Sequence, residues 1–188
     1  EYFSEIDFDA MVWENVPKDF LDNLALARLS TSSNALDPNN LYCVYVNKES
    51  LDSSDGYRVS RIFLESDFTD DFLLPSSSIQ DLLTFKHFDS YALENNWVHF
   101  TTDDDVIVSC RTAAGEFPNF TEIIDGFEKE SEIKIDPKLI PALENLSGLV
   151  EGESDFMKSV TIELKSKKAI ITGRKEGVRV KKSYDVEN

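Results

Sequence analysis

Leu74-Pro75-Ser76-Ser77-Ser78-Ile79 is one of three places where hydrophobic residues run into a proline and an amphipathic stretch begins. The others are Val16-Pro17-Lys18-Asp19-Phe20-Leu21 and Asp136-Pro137-Lys138-Leu139-Ile140, at spacings of 58 and 62 residues. A recurrence of that length is one small supersecondary unit, and it decides what every other motif sits on. Proline suits the first turn of a helix, where its missing N–H would lack a partner in any case. The three segments near 17–29, 75–86 and 137–147 are therefore expected to be helices of similar length, the first two side by side beneath a sheet.

Around each proline the same plan repeats. Phe20, Leu21, Leu24 and Ala27 form one helical stripe with Arg28 at its margin. A polar loop ends in Asp37-Pro38-Asn39-Asn40, and Leu41 to Val46 is apolar on both faces, a strand signal. Asp52-Ser53-Ser54-Asp55-Gly56 is expected to turn the chain into a strand over Tyr57–Leu64. In the second unit Phe72–Leu74 reads as a strand, and Ile79, Leu82, Leu83 and Phe85 as a helix face. Trp97–Phe100 and Val106–Cys110 then form a hairpin around Thr102-Asp103-Asp104-Asp105. In the third, Ile133–Ile135 enters and Leu139, Ile140, Leu143 and Leu146 line the helix. The strictly alternating Val160–Leu164 is a half-buried strand, followed by strand-like Ala169–Ile171 and Val178–Val180. Repeated β-α-β-β-β units, each with one apolar helix face, predict an α+β protein with helices packed on one face of antiparallel sheets.

Composition fits a folded chain: 188 residues, 41% hydrophobic and 29% charged. No stretch reaches the roughly 18–20 apolar residues of a membrane span, and no basic-then-apolar leader opens the chain. It starts Glu1-Tyr2-Phe3, without methionine, as a piece of something longer would. Cys43 and Cys110 lie far apart in apolar runs, the pattern of buried reduced thiols in a cytoplasmic protein. Without a leader, the glycosylation-like Asn119-Phe120-Thr121 and Asn145-Leu146-Ser147 are coincidental. The net charge is −17 but uneven: residues 1–157 carry −22 and residues 158–188 carry +5. Such acidity opposes indiscriminate nucleic-acid binding, which rests on phosphate neutralisation, while leaving room for one basic face. In the basic tail Arg179 and Lys181 alternate with Val178 and Val180, as on a sheet with one solvated face.

Two stretches carry more than architecture. Ser54-Asp55-Gly56-Tyr57-Arg58-Val59 resembles the "TDGHRL"-type turn and strand of bacterial DNA sliding clamps, the beta subunit of DNA polymerase III. Gly115-Glu116-Phe117-Pro118-Asn119-Phe120-Thr121-Glu122-Ile123-Ile124 resembles their "GRFPDYRRVLP" segment, and Phe72-Leu73-Leu74-Pro75 their "VIVP" helix start. The three occur in the family's order on the family's repeat. The resemblance implies the DNA-clamp fold, with residues 1–126 matching the middle of three clamp domains and 127–188 the first half of the third. It implies a non-enzymatic processivity factor without cofactor or metal, which as a homo-oligomeric ring encircles double-stranded DNA. Its partners would be DNA polymerase and clamp-loader peptides.

Carried over by position, the resemblance assigns the wall of a partner-peptide pocket to Ser54, Gly56, Tyr57, Arg58, Val59, Pro118 and Ile123, with Cys43 beside them. An apolar groove beside a turn and a proline suits an extended peptide. Where the family carries basic residues facing DNA, this chain has Ser76 and Ser77, and Thr121 and Glu122 stand for the arginines of "PDYRR". The DNA-facing candidates left are Lys18, Arg28, Lys86 and Lys138. A divergent clamp would look so. The alternatives are a clamp-like protein-interaction module that does not encircle DNA, or an acidic metal-dependent hydrolase built on the Asp-rich turns. Asp103–Asp105 alone reads as a solvated hairpin tip rather than a cation site, and His99, between Val98 and Phe100, as an outward strand residue.

Overall fold

The computed structural model describes residues 6–65, 68–104, 106–126, 139–147, 160–165, 168–175 and 178–185. The chain divides into two compact units, residues 1–124 and 125–188.

The first unit is built from two copies of one strand–helix–three-strand plan. The first copy is β1 (Glu14–Asn15), α1 (Phe20–Arg28), β2 (Cys43–Val46), β3 (Ser50–Ser54) and β4 (Val59–Phe63). The second is β5 (Phe72–Pro75), α2 (Ser76–Leu82), β6 (Ser90–Glu94), β7 (Trp97–Thr101) and β8 (Ile107–Arg111). The copies exchange their leading strands. One four-stranded antiparallel sheet runs β1-β6-β7-β8 and the other β4-β3-β2-β5, so each takes its edge strand from the other repeat. Interchanging the copies maps one sheet order onto the other, which is a two-fold relation written in the topology.

The apolar stripes then have one place to go. Phe20, Leu24 and Ala27 of α1, Ile79 and Leu82 of α2, and Val44, Leu51, Val98 and Phe100 of the sheets form one buried cluster. At about 25 cal/mol per Å² of apolar area, this burial is the main term holding the unit together. α1 packs on β2, β3 and β4 and lies beside α2. Arg28 closes that helix pair: its Nε donates to the Ser76 carbonyl (3.1 Å) and its Nη2 to Gln80 Oε1 (3.0 Å).

Several sequence expectations shift in detail. Pro17 precedes α1 by a turn, with the Phe20 N–H bonded to its carbonyl at 3.0 Å, and Pro75 is the extended residue before α2. Pro137 lies outside the described residues. α2 ends at Leu82, because the chain closes through Asp81 and Leu82 carbonyls into a turn that carries Thr84 and Phe85. Ser50–Ser54, expected in part as a turn, is a strand whose five residues are all buried. Its polar groups find partners within the fold: Ser53 Oγ donates to the Ala27 carbonyl at 2.6 Å, and Asp52 binds Arg61. Burial of polar groups is tolerated where hydrogen bonds replace water.

His99 also differs. It lies on the face of β7 away from the core, yet it is fully buried. Phe8 packs edge-on against its ring at 5.3 Å, and its Nδ1 is 2.7 Å from Ser109 Oγ. Burial lowers its pKa, with Glu94 opposing more weakly. The N-terminal residues thus cover a face that strand alternation alone marks as exposed.

After the short helix α3 (Thr121–Asp125), the second unit has α4 (Leu139–Ser147) followed by β9 (Thr161–Lys165), β10 (Lys168–Lys175) and β11 (Val178–Asp185), which form an antiparallel sheet of order β11-β10-β9. Ala169, Ile170 and Ile171 are buried there. The entering strand expected at Ile133–Ile135 lies outside the described residues.

Candidate partner-binding groove

The β4-β3-β2-β5 sheet has an inner face filled by the core and an outer face that strand alternation assigns to Cys43, Tyr45, Asp52, Ser54, Val59 and Arg61. Register sets these in rows. Cys43 pairs with Pro75, and Ser54 with Val59. Continuing the β2–β3 register of Tyr45↔Asp52 and Val46↔Leu51 puts Cys43 opposite Ser54. Three assigned pocket residues thus share one cross-strand row, and the neighbouring row holds Tyr45, Asp52 and Arg61.

The turn at one end of that face is held by Asp55. Its carboxylate accepts the N–H groups of Tyr57 (3.0 Å) and Arg58 (3.1 Å) and pairs with Arg58 Nε at 3.0 Å. Burial pushes the Asp55 pKa upward, but these donors outweigh it and the net shift is down. The Gly56 N–H is bound by Ser54 Oγ at 3.0 Å, and φ of +88° puts Gly56 where a side chain is strained. Tyr57 and Arg58 consequently project outward, Tyr57 with 74% of its surface exposed.

The "FPNF" segment lies over the neighbouring row. Phe117 stacks on Tyr45 at 5.6 Å, and Arg61 Nη2 donates to Thr121 Oγ1 at 3.2 Å. Asn40 anchors the approach by donating to the carbonyls of Ala114 (3.3 Å) and Glu116 (3.0 Å). Asn119 Oδ1 accepts the Thr121 N–H at 2.9 Å and starts the short helix α3 (Thr121–Asp125). A cleft of ≈ 480 Å³ results, with Tyr45, Asp52, Arg61, Phe63, Phe117 and Pro118 among its walls. Its apolar surfaces are Phe63, 72% exposed, and the Phe117–Pro118 pair.

Of the assigned residues, Pro118 lines this cleft, Val59 is half-buried on the same face, and Ile123 is 52% exposed on α3. Ser54 and Cys43 are fully buried and offer support rather than contact. Burial pushes the Cys43 thiol up to about 12 and the Cys110 thiol to about 11, so neither is a poised nucleophile. Tyr45, Arg61, Phe63 and Phe117 were not singled out by sequence. The adjacency of Phe117 to Pro118 was the one local signal.

Of the candidate DNA-facing residues, Lys18 and Lys86 line a common cleft of ≈ 750 Å³ with Phe20, Phe88 and Glu65. Arg28 is committed to Ser76 and Gln80. Lys138 lies outside the described residues. The solvent side of the helix pair shows Asp22 and Leu26 from α1, Leu29 at its C-cap, and Gln80 and Asp81 from α2.

A pair of strand-exchanged repeats with both helices on one side of the sheets defines the DNA sliding-clamp fold. No protein-family model and no curated protein sequence matches the chain. Solved structures do. The DNA polymerase sliding clamp of Bacillus subtilis superposes with a TM-score of 0.77 at 17% identity, over 100% of this chain and 52% of that one. The DNA polymerase III subunit beta of Pseudomonas aeruginosa gives 0.76 at 14%, over 100% and 54%. A Pseudomonas aeruginosa sliding clamp bound to griselimycin gives 0.71 at 15%, over 94% and 50%. At these identities the likeness is one of fold, and this chain spans about half the length of the clamps it matches.

Proposed function

We propose that the chain acts as part of a DNA sliding clamp: a non-enzymatic platform that docks DNA polymerase and clamp-loader peptides on the outer sheet face of residues 1–126. In this reading residues 1–126 are a middle clamp domain and 127–188 the first half of a third. The full-length protein would close a homo-oligomeric ring on double-stranded DNA and work in the cytoplasm. The observation that supports the proposal is the outer sheet face itself: Cys43, Ser54 and Val59 share one cross-strand row beside the Tyr57–Arg58 turn, and the segment carrying Phe117 and Pro118 lies over the neighbouring row. An extended peptide gains affinity from such a preformed apolar wall because little ordering remains to be done on the protein side.

Titration of the 15N-labelled chain with a short apolar peptide of the clamp-binding type tests this. Amide shifts should start at Tyr57, Arg58, Val59, Asn119 and Ile123. Shifts confined to the helix side, or none, would overturn the docking assignment.

A second reading, a clamp-like protein-interaction module that does not encircle DNA, is favoured by the helix face. Asp22, Leu26, Leu29 and Asp81 repel or ignore phosphates rather than neutralise them.

A further inference from the structure

The turn joining β7 to β8 meets the segment that leads into β6, and three metal-ligating side chains converge there. His87 Nε2 lies 3.7 Å from Asp89 Oδ1 and 3.6 Å from Asp103 Oδ2. One donor atom from each residue falls within 4.8 Å of the others. The side chains are 47–65% exposed, so a hydrated ion can reach them. The backbone that carries the carboxylates is fixed to β7: the Asp89 N–H donates to the Thr101 carbonyl at 2.8 Å, and the Thr102 N–H to the Val106 carbonyl at 3.0 Å.

The acids of the turn alone would be a solvated hairpin tip. An imidazole from another segment, aimed at two carboxylates, makes a different ligand set. It pairs with them as an ion only when protonated, whereas a divalent cation satisfies the neutral imidazole and both carboxylates together. Ligands about 2.1 Å from a tetrahedral zinc ion stand roughly 3.4 Å apart, so the two His87 separations exceed that spacing by a few tenths of an ångström, and side-chain rotation draws in the carboxylates, which lie within 4.8 Å of each other. One nitrogen and two oxygens suit a borderline transition ion better than Mg²⁺ or Ca²⁺, which prefer oxygen alone. Asp104 adds favourable charge beside the site, and Lys86, next in sequence to His87, opposes it.

We propose that His87, Asp89 and Asp103 form a surface site for Zn²⁺ or a similar divalent transition ion, which clasps the β7–β8 turn to the chain entering β6. The chain has two histidines, and His99 is buried, so the imidazole resonances give a clean readout. Adding Zn²⁺ should shift the His87 ring signals to saturation at one equivalent and leave those of His99 in place. His87→Gln and Asp103→Asn should each weaken binding at least about tenfold, as loss of a ligand-shell group does. Asp104→Asn should change it by less than about threefold, the effect of one screened charge. Mg²⁺ should not displace the zinc. Unchanged affinity in His87→Gln, or equal losses in Asp103→Asn and Asp104→Asn, would mean a diffuse acidic patch and overturn the site.

Discussion

Arg61 of β4 binds Asp52 of β3, Nη2 to Oδ2 at 2.6 Å, and reaches on to Thr121 Oγ1 at 3.2 Å. One guanidinium therefore ties the sheet to the segment that carries Pro118 and Ile123. The side chains are 16% and 5% exposed, so solvent screens the pair little. Asp52→Ala leaves a largely buried cation without its carboxylate and should cost about 2–4 kcal/mol in urea unfolding. Thr121→Ala removes one hydrogen bond and should cost about 1 kcal/mol. An Asp52→Ala loss no larger than that of Thr121→Ala would mean that the pair does not hold the outer face.

The cations of the first unit limit the DNA contact that this unit can make. Lys18 and Lys86 are the cations the first unit gathers in one cleft, and Arg28 is engaged with α2. Two neutralised phosphates give a slope of log K against log salt of about −2. A fluorescence titration across salt should therefore show weak duplex binding with a slope no steeper than that, reduced further in Lys18→Glu/Lys86→Glu. Tight binding with a slope several times larger would shift the contact to the basic tail.

Stability should depend on pH through His99. Burial depresses its pKa in the folded chain, whereas the unfolded imidazole titrates near its ordinary value of about 6.5. Below that value the unfolded chain takes up a proton that the folded one refuses. The stabilisation is thus complete above about pH 6.5 and is lost as pH falls toward the folded value, by at most about 1.4 kcal/mol per pH unit. Comparing unfolding free energies of wild type and His99→Gln between about pH 7.5 and 5.5 isolates this share from the carboxylates. Parallel curves for the two proteins would show that His99 contributes nothing to the pH dependence.

Much of the fold was legible because it is local. The helix stripes of Phe20–Ala27 and Ile79–Leu82 and the β7–β8 hairpin follow from periodicity and turn residues. What stayed hidden depends on distant partners. The buried strand Ser50–Ser54 looks like a loop until Arg61 and the Ala27 carbonyl are placed against it. The cover that Phe8 lays over His99 comes from residues 91 positions away in the chain. In the groove, the turn and Pro118 were visible as motifs. The roles of Tyr45, Arg61 and Phe117 arise only when the 117–121 segment crosses the sheet.

Val59→Asp tests the central claim most directly. Val59 is half-buried on the outer face and lies outside the main core cluster, so the variant should keep its circular dichroism and unfolding midpoint. A carboxylate set against an apolar peptide loses hydration without gaining a partner, at a cost of order a few kcal/mol. The amide shifts that a clamp-binding peptide induces at Tyr57, Arg58 and Ile123 in wild type should vanish in the variant. Undiminished shifts in a folded Val59→Asp protein would place the groove elsewhere, and an unfolded variant would make Val59 a core residue and remove it from the docking surface.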